Sequence, residues 1–265
     1  MVYSARDICE TYEALGVRQG AVVYVTSDLV PLMMFEDRTR GAVLEAHYNA
    51  LLSLLGPTGT LVVSSASTNL CNTEVPFDHA NTPSYQVGQL SEFVRQQPET
   101  RRSFHPFVSY SAVGKHAREI TEDVSRHAYG PMTPEARMIE MGALSVSVGL
   151  HPRHSCSTVH HVEQDVTVPY RYTKEFMHPV VRNGEVKVEP FYLYVWYRNC
   201  GIERSNTKWI FQHLDKTDLI STRTLGAGSV YSYAMPEFVS KSTRLMIDDY
   251  YIWCMRPPEI RPWQS

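Results

Sequence analysis

The sequence predicts an α/β fold in which a mixed β-sheet is flanked by helices, with a β-rich C-terminal portion. Short continuous apolar runs at 21–26 and 60–64 have the length of buried strands. Helical spacing of apolar residues over 41–56 separates the two runs, and this order indicates a parallel βαβ unit. From 176 to 197 the chain is rich in aromatic and β-branched residues around an Asn-Gly hairpin signal. We expect a single domain over residues 1–265.

The other elements are bounded by capping and turn signals. Ser4, followed by the acid Asp7, is typical of a helix start. Residues 68–84 are rich in turn formers and polar groups, so we predict a functional loop there. Thr133 precedes Pro134, an N-cap residue followed by proline at the first helical position. The remaining predicted elements are helices at 89–97, 115–124 and 157–165 and strands at 107–114 and 143–149.

Composition and charge exclude several function classes. Hydrophobic residues make up 43% of the chain and charged residues 20%, which is typical of a globular protein with a buried core. With a net charge of −3 and no basic stripe, the chain is not expected to bind nucleic acid. No apolar signal region begins the chain and no apolar run approaches the roughly 20 residues of a membrane span, so we expect no membrane association. The 5 scattered cysteines lack a C-x-x-C pair and favour a reducing cytoplasm over a disulfide framework.

A histidine-rich stretch at 149–165 raises the question of a metal site. It holds His151, His154, Cys156 and the adjacent pair His160 and His161. A short His-x-x-His spacing suits zinc, but no second ligand pair lies at finger-like spacing elsewhere. Adjacent residues on a helix point about 100° apart, so the last two histidines cannot easily share one ion. We therefore predict no metal, and a zinc-stabilised or carbohydrate-binding module is kept as a non-enzymatic alternative.

One histidine of this stretch is a candidate catalytic base. On the helix predicted at 157–165, His160 and Glu163 are three residues apart and share a face. A carboxylate orients an imidazole and raises its pKa, which suits a general base near neutrality. Spacing alone leaves open a surface pair of no consequence. Cys156 lies four residues before His160, but nothing around it indicates an activated thiolate, so a passive thiol is expected.

Two further clusters could contact a ligand. Arg101 and Arg102 precede the predicted strand at 107–114, which suits an anion but also describes a surface arginine pair. The run YVTSDL at 24–29 places small polar residues after a buried strand, as a ligand-binding turn or a helix N-cap. No G-x-S-x-G, Walker A or G-x-G-x-x-G motif is present, which argues against a serine hydrolase, a P-loop enzyme and a dinucleotide oxidoreductase.

Five motifs occur in register between residues 4 and 165. They are TSDL; GPTGTLVVSS with the following CN, FD and TPS; VGQLSEFVRQQPETRRSFHPFVSYSAVG; GPMTP; and CSTVHHVE. Together they resemble the aminoglycoside 3-N-acetyltransferase-like family, which includes N-acyltransferases of amino sugars in surface-glycan pathways. In the last motif the family pattern is G-x-G, a short loop, N-T-x-L-H and a glutamate. Here Ser147 replaces the first glycine, Cys156 the asparagine and Ser157 the threonine.

The resemblance implies an acyl-CoA-dependent N-acyltransferase with His160 as catalytic base and Glu163 as its carboxylate. The donor would be acetyl-CoA or another acyl-CoA, bound by residues 1–165. Its pantetheine arm would lie against Ser27, Asp28, Leu29 and Val30 and against Ser109, Tyr110 and Ser111, with Arg102 near a phosphate. Substrate contacts would come from the loop residues Asn72, Glu74, Asp78 and Thr82. Residues 166–265 would form the acceptor side.

The acceptor implied is a small amino sugar with a primary amine. Between residues 166 and 230 the chain has six acids against nine Lys and Arg, and it is dense in tyrosine and tryptophan. Because aminoglycosides are polycations, this balance favours a nucleotide-linked 3-amino sugar for surface-glycan biosynthesis. An aminoglycoside acceptor is the alternative. A homodimer is an open alternative to a monomer.

Overall fold

The structure is organised around the βαβ unit that the sequence predicts. The computed structural model describes residues 2–203 and 208–264; Arg204, one of the nine bases counted above, lies outside them. The strands are β1 (Val2–Tyr3), β2 (Val22–Ser27), β3 (Met34–Phe35), β4 (Thr60–Ser64), β5 (Arg101–Arg102), β6 (Tyr110–Gly114), β7 (Leu144–Val148), β8 (Arg171–Arg182), β9 (Glu185–Trp196), β10 (Ser221–Leu225) and β11 (Gly228–Ala234). The helices are α1 (Ala5–Ala14), α2 (Arg40–Leu55), α3 (Gln89–Arg95), α4 (Ala117–Thr121), α5 (Pro134–Glu140), α6 (Thr158–Asp165), α7 (Lys208–Leu214) and α8 (Met235–Asp248).

Seven strands form one mixed sheet in the order β10-β11-β7-β2-β4-β6-β5. The central strands β7, β2 and β4 are parallel, and the strands on either side of them pair antiparallel. This arrangement confirms the predicted mixed sheet and parallel βαβ unit. Because the three central strands run in the same direction, their carboxyl ends lie along one edge of the sheet, where α/β proteins usually form their sites.

Helices cover both faces of the sheet, as predicted. Alternate residues of each strand point to opposite faces, so Val23 packs with α1, α2 and α3, whereas Tyr24 packs with α4, α5, α6 and α8. Each large apolar side chain buried in these two cores contributes about 1.5–3 kcal/mol to folding. In the described ranges no helix has both the length and the apolar character needed to cross a bilayer.

The predicted capping signals are present in the structure. Ser4 Oγ accepts a hydrogen bond from the Asp7 amide, and the Asp7 carboxylate accepts one from the Ser4 amide at 2.7 Å. Thr133 caps α5 in the same way by accepting from the Ala136 amide. The strand predicted at 107–114 is shorter because its first residues form a turn, in which His105 Nδ1 accepts the amides of Phe107 and Val108.

The C-terminal portion contains the predicted hairpin and also two helices, α7 and α8, that were not predicted. Asn183 and Gly184 have φ of 54° and 82° and join β8 to β9, which fits a turn with two left-handed residues. Strands β10 and β11 extend the main sheet beside β7. Helix α8 buries Phe238 and Met246 against the core. It was not predicted because its Ser, Thr and Val residues have modest helix propensity.

Candidate active site

A cavity of about 500 Å³ opens at the carboxyl ends of the central strands. Its walls come from β2 with the turn Ser27–Val30, from segment 86–89, and from residues 154–157 before α6. All four residues predicted in this turn, Ser27, Asp28, Leu29 and Val30, line it. The walls alternate between hydroxyl groups and apolar side chains such as Leu29 and Leu150, which suits a slender chain that carries amides.

Two glycines bring the backbone close to this turn. Gly88 and Gly149 have φ of +90° and +75°, and a Cβ atom on either would clash with the carbonyl oxygen of Ser27 or Asp28 respectively. The amide of Asp28 also donates to the carbonyl of Val148 at 2.8 Å. The turn is therefore fixed between β7 and the segment before α3.

One departure from the family pattern, Ser147, belongs to a hydroxyl cluster beside the cavity. Ser147 Oγ, at the position of a family glycine, lies 2.8 Å from Ser155 Oγ and 3.0 Å from Thr26 Oγ1. Ser155 Oγ also accepts from Thr26 Oγ1 at 3.2 Å. The extra hydroxyl at residue 147 is thus satisfied by neighbouring side chains. Ser27 Oγ is buried without a hydrogen-bond partner on the cavity wall.

Helix α6 begins beside the cavity and carries the predicted base. His160 Nδ1 lies 2.7 Å from Glu163 Oε2, at the i, i+3 spacing expected from the sequence. The side chain of His160 is 18% exposed, whereas that of Glu163 is fully buried. The structure therefore brings the two residues together and leaves solvent access only to the imidazole.

Two residues that were not predicted as site residues, Arg171 and Tyr170, contact Glu163. Arg171 Nη2 pairs with Glu163 Oε2 at 2.9 Å, and the Tyr170 hydroxyl donates to Glu163 Oε1 at 2.8 Å. Arg171 Nη1 also donates to the Tyr194 carbonyl at 2.9 Å, and its guanidinium lies 4.9 Å from the ring centroid of Trp196. No spacing rule links residues of α6 to β8, so only the fold reveals this contact.

The surroundings of Glu163 keep its carboxylate charged. Burial raises the pKa of Glu163, but the hydrogen bond with His160 and the charge of Arg171 together lower it below its ordinary value. Because an ionised carboxylate can only accept hydrogen bonds, His160 Nδ1 must carry a proton and donate a hydrogen bond to Glu163. Arg171 Nη2 lies 3.3 Å from the same ring nitrogen. Both nitrogens are donors, and they lie close together because both donate to Glu163 Oε2. In a neutral imidazole that is protonated at Nδ1, Nε2 is the nitrogen without a proton.

An aromatic residue packs against the candidate base. The ring centroid of Tyr129 lies 5.4 Å from that of His160. Burial raises the pKa of the Tyr129 phenol, with the charges of Glu135 and Glu163 adding to the effect, so the phenol stays protonated. The neighbourhood of His160 is thus aromatic on one side and ionic on the other.

Arg102 lies away from the cavity. All five of its N–H groups are used inside the protein: Nε donates to Ser109 Oγ, Nη1 to the carbonyls of His79 and Thr82, and Nη2 to the Ser65 carbonyl and Ser67 Oγ. Burial lowers its pKa to about 10, so the guanidinium remains charged at neutral pH. Arg102 fastens the loop at 68–84 to the sheet, and this geometry gives no support to the predicted phosphate contact.

The second predicted pantetheine group is also internal. Ser109, Tyr110 and Ser111 are buried, and none of them lines the cavity. Ser109 Oγ donates to the Ser65 carbonyl, and the Tyr110 hydroxyl donates to Glu135. The reason is that β6 lies beyond β4 in the sheet, so its side chains pack into the core rather than toward the turn at 27–30.

The predicted substrate loop is a loop, but its polar residues do not line the cavity. Asn72 and Glu74 are exposed. Asp78 accepts from the amides of Ala80 and Asn81, and Thr82 Oγ1 accepts from the Asp78 amide. These bonds stabilise the loop itself. A role for Asn72, Glu74, Asp78 and Thr82 toward substrate stays a prediction.

The other members of the histidine-rich stretch are separated from His160. His151 accepts from the Arg153 amide, and His161 pairs with Asp165 at 3.1 Å. Burial raises the pKa of the Cys156 thiol to about 12, which agrees with the passive thiol predicted. Over residues 2–203 and 208–264, no group of three or more His, Cys, Asp or Glu side chains has the geometry of a metal site.

Comparison with known proteins identifies the family. A family model described as aminoglycoside 3-N-acetyltransferase matches residues 31–247. The aminoglycoside N(3)-acetyltransferase III of Acinetobacter baumannii is 30% identical over 204 residues, which cover 70% of this chain and 69% of that protein. Among solved structures, sisomicin-bound AAC-VIa has a TM-score of 0.80 at 19% identity and covers 93% of this chain and 98% of its own. AAC-IIIb in a binary complex with CoASH has a TM-score of 0.79 at 18% identity and covers 97% and 100%.

The two similar structures show a shared fold, and the sequence matches show the family to which the chain belongs. The predicted resemblance, the α/β fold class and the N-acyltransferase activity are thereby confirmed. The chain belongs to the aminoglycoside 3-N-acetyltransferase family and is an N-acyltransferase.

Proposed function

We propose that this enzyme transfers the acetyl group of acetyl-CoA to a primary amine of an aminoglycoside, with His160 as the general base. The observation that carries the proposal is the imidazole held by Glu163 and Arg171 on a helix that begins beside the cavity. The relatives named above are aminoglycoside acetyltransferases, and one was solved with CoASH and one with sisomicin. These comparisons favour the aminoglycoside over the nucleotide-linked amino sugar preferred from the charge count.

The lining of the cavity supports placing the pantetheine arm of the donor there. The wall residues Thr26 and Ser27 offer hydroxyl groups to amides, while Leu29, Val30 and Leu150 offer apolar contact. Bound acetyl-CoA would supply an activated thioester. The chain would hold that thioester at the end of the cavity beside α6, the helix that carries the base.

The residues around His160 supply the proton transfers. An ammonium must lose a proton before its nitrogen can attack a thioester carbonyl, and His160 Nε2 would accept that proton. Glu163 would stabilise the imidazolium through Nδ1, as the carboxylate of a catalytic triad does. As the new C–N bond forms and the C–S bond breaks, His160 would return the proton to the departing thiolate, and the second proton that the nitrogen loses on becoming an amide would pass to solvent. Both substrates are then bound together, and no covalent enzyme intermediate is needed.

The test is turnover with a defined pair of acceptors. Purified protein with acetyl-CoA is incubated with sisomicin or with a nucleotide-linked 3-amino sugar, and release of free CoA is measured. We expect turnover with sisomicin and N-acetylated sisomicin by mass spectrometry. Turnover with the nucleotide sugar alone would overturn the proposed acceptor, and release of CoA without any acylated product would overturn the transfer reaction.

A further inference from the structure

A second buried carboxylate, Glu135, lies beside the cavity and has no part in the proton transfers above. Its side chain is 0% exposed. The Tyr110 hydroxyl donates to Glu135 Oε2 at 2.6 Å, and Ser157 Oγ lies 3.4 and 3.5 Å from the two carboxylate oxygens. Throughout the described residues, no Lys, Arg or His side chain forms an ion pair with Glu135.

The two buried carboxylates of this region have different surroundings. Glu163 is balanced by the guanidinium of Arg171, whereas the hydrogen-bond partners of Glu135 within residues 2–203 and 208–264 are the hydroxyl groups of Tyr110 and Ser157. A buried carboxylate without a paired cation is unfavourable for folding, and such a group beside a cleft is a candidate for function. The ion pair that His161 forms is with Asp165.

Ser157 connects Glu135 to the cavity. Ser157 lines the cavity together with Tyr24, whose hydroxyl lies 3.5 Å from Ser157 Oγ. A serine hydroxyl has one proton, and when that proton is donated to Glu135 the lone pairs of Ser157 Oγ can accept a hydrogen bond from a ligand in the cavity. Ser157 is also the N-cap residue of α6, and its carbonyl accepts the His160 amide at 2.8 Å. An N–H group bound by Ser157 would therefore lie one helical turn from the base.

The charge indicates which substrate this oxygen receives. Acyl-CoA is an anion that a buried carboxylate repels, whereas the acceptor amine enters as an ammonium that a carboxylate attracts. We propose that Glu135 is a positioning residue for the cationic amine of the acceptor and that it acts through the Ser157 hydroxyl. The inference rests on the proposed function, because it requires an amine acceptor at this site.

The test compares Glu135→Gln with Glu140→Gln, which removes the same charge from an exposed position of the same helix, α5. The Michaelis constants for sisomicin and acetyl-CoA are measured separately, and folding is checked by circular dichroism. Loss of a hydrogen bond that carries charge raises the KM for sisomicin about tenfold in E135Q. The KM for acetyl-CoA stays unchanged, and E140Q resembles the unsubstituted protein. Ser157→Ala, which keeps the buried carboxylate, raises the KM for sisomicin in the same direction.

Three results would overturn the inference. A rise in the KM for acetyl-CoA instead would show that Ser157 serves the donor. A folded E135Q protein with both constants unchanged would show that Glu135 only packs the core. If E135Q fails to fold, an unchanged KM for sisomicin in S157A has the same meaning. Absence of sisomicin turnover by the unsubstituted protein would overturn the proposed function itself. The role of Glu135 is therefore judged only when the unsubstituted protein is active, so the two proposals can fail separately.

Discussion

Arg171 and Glu163 form an ion pair of 2.9 Å that joins the β8–β9 hairpin to helix α6. The same carboxylate oxygen holds His160 Nδ1 at 2.7 Å. The orientation of the imidazole is thus set from two separate parts of the chain. The hairpin, which belongs to the predicted acceptor side, contributes directly to the environment of the candidate base.

His160→Ala should lower kcat by about 10²–10⁴-fold, because removal of a general base costs that range. Binding of CoA, measured by isothermal titration calorimetry, should be nearly unchanged, since His160 does not line the cavity. His161→Ala is the matched control, one residue away on the same helix, and should have a mild effect. Similar losses in both variants would show that the base is assigned to the wrong residue.

Glu163→Gln should weaken both catalysis and folding, and the loss of folding should depend on pH. The pKa of Glu163 is lower in the folded protein than its ordinary value, so its carboxylate contributes stability above the unfolded pKa. That contribution is lost as the pH falls below about 4.3 and through the folded pKa. At neutral pH the variant should lose about 3 kcal/mol in free energy of unfolding, because the buried Arg171 is left unpaired.

The measurement for this prediction is urea unfolding of both proteins from neutral pH to pH 3. The difference between Glu163→Gln and the unsubstituted protein should shrink as the pH falls, since a protonated glutamate resembles glutamine. A difference that is constant over the whole range would indicate that packing, rather than charge, is lost.

Arg171→Lys should retain a positive charge but lose the flat guanidinium that contacts both Glu163 and Trp196. We expect kcat to fall about tenfold or more, because mutation of a residue that orients a functional group typically lowers activity about 10–100-fold. The KM for acetyl-CoA should not change. Rapid-quench or steady-state assays at saturating donor give kcat; a KM effect on acetyl-CoA alone would mean that Arg171 binds the donor instead.

Arg102→Met should destabilise the protein by about 3 kcal/mol or more, because several buried carbonyl and hydroxyl partners lose their donors. Thermal unfolding measures this loss, and Arg101→Met serves as the control because Arg101 is more than half exposed. If Arg102 instead bound a phosphate of the donor, the variant would fold normally and show a raised, salt-sensitive KM for acetyl-CoA. The two outcomes therefore decide between a structural and a binding role.

Local signals predicted most of the N-terminal half. The apolar runs at β2 and β4, the helical spacing of α2 and the Ser4 capping box depend on near neighbours, so the sequence displays them directly. The pairing of His160 with Glu163 is local in the same sense, since three residues along a helix bring the side chains onto one face. These predictions are confirmed as geometry, and the catalytic role stays a proposal.

Contacts between distant elements could not be predicted in this way. Arg171 meets Glu163, and Tyr110 meets Glu135, only because strands and helices far apart in the chain pack together. Arg102 looked suited to an anion because a basic residue in a sequence does not reveal how its donors are used. The charge count over 166–230 is a weak guide to the acceptor for a similar reason, since a count contains no positions.

The close backbone contact at Gly88 and Gly149 limits how the cavity and its turn can be redesigned. A side chain at either glycine would clash with the carbonyl oxygen of Ser27 or Asp28, so neither position accepts a larger residue. Room for a longer acyl group would come from shortening an apolar residue of the wall such as Leu29, Val30 or Leu150. Directed evolution toward bulkier thioesters should accumulate changes at such positions and leave both glycines untouched.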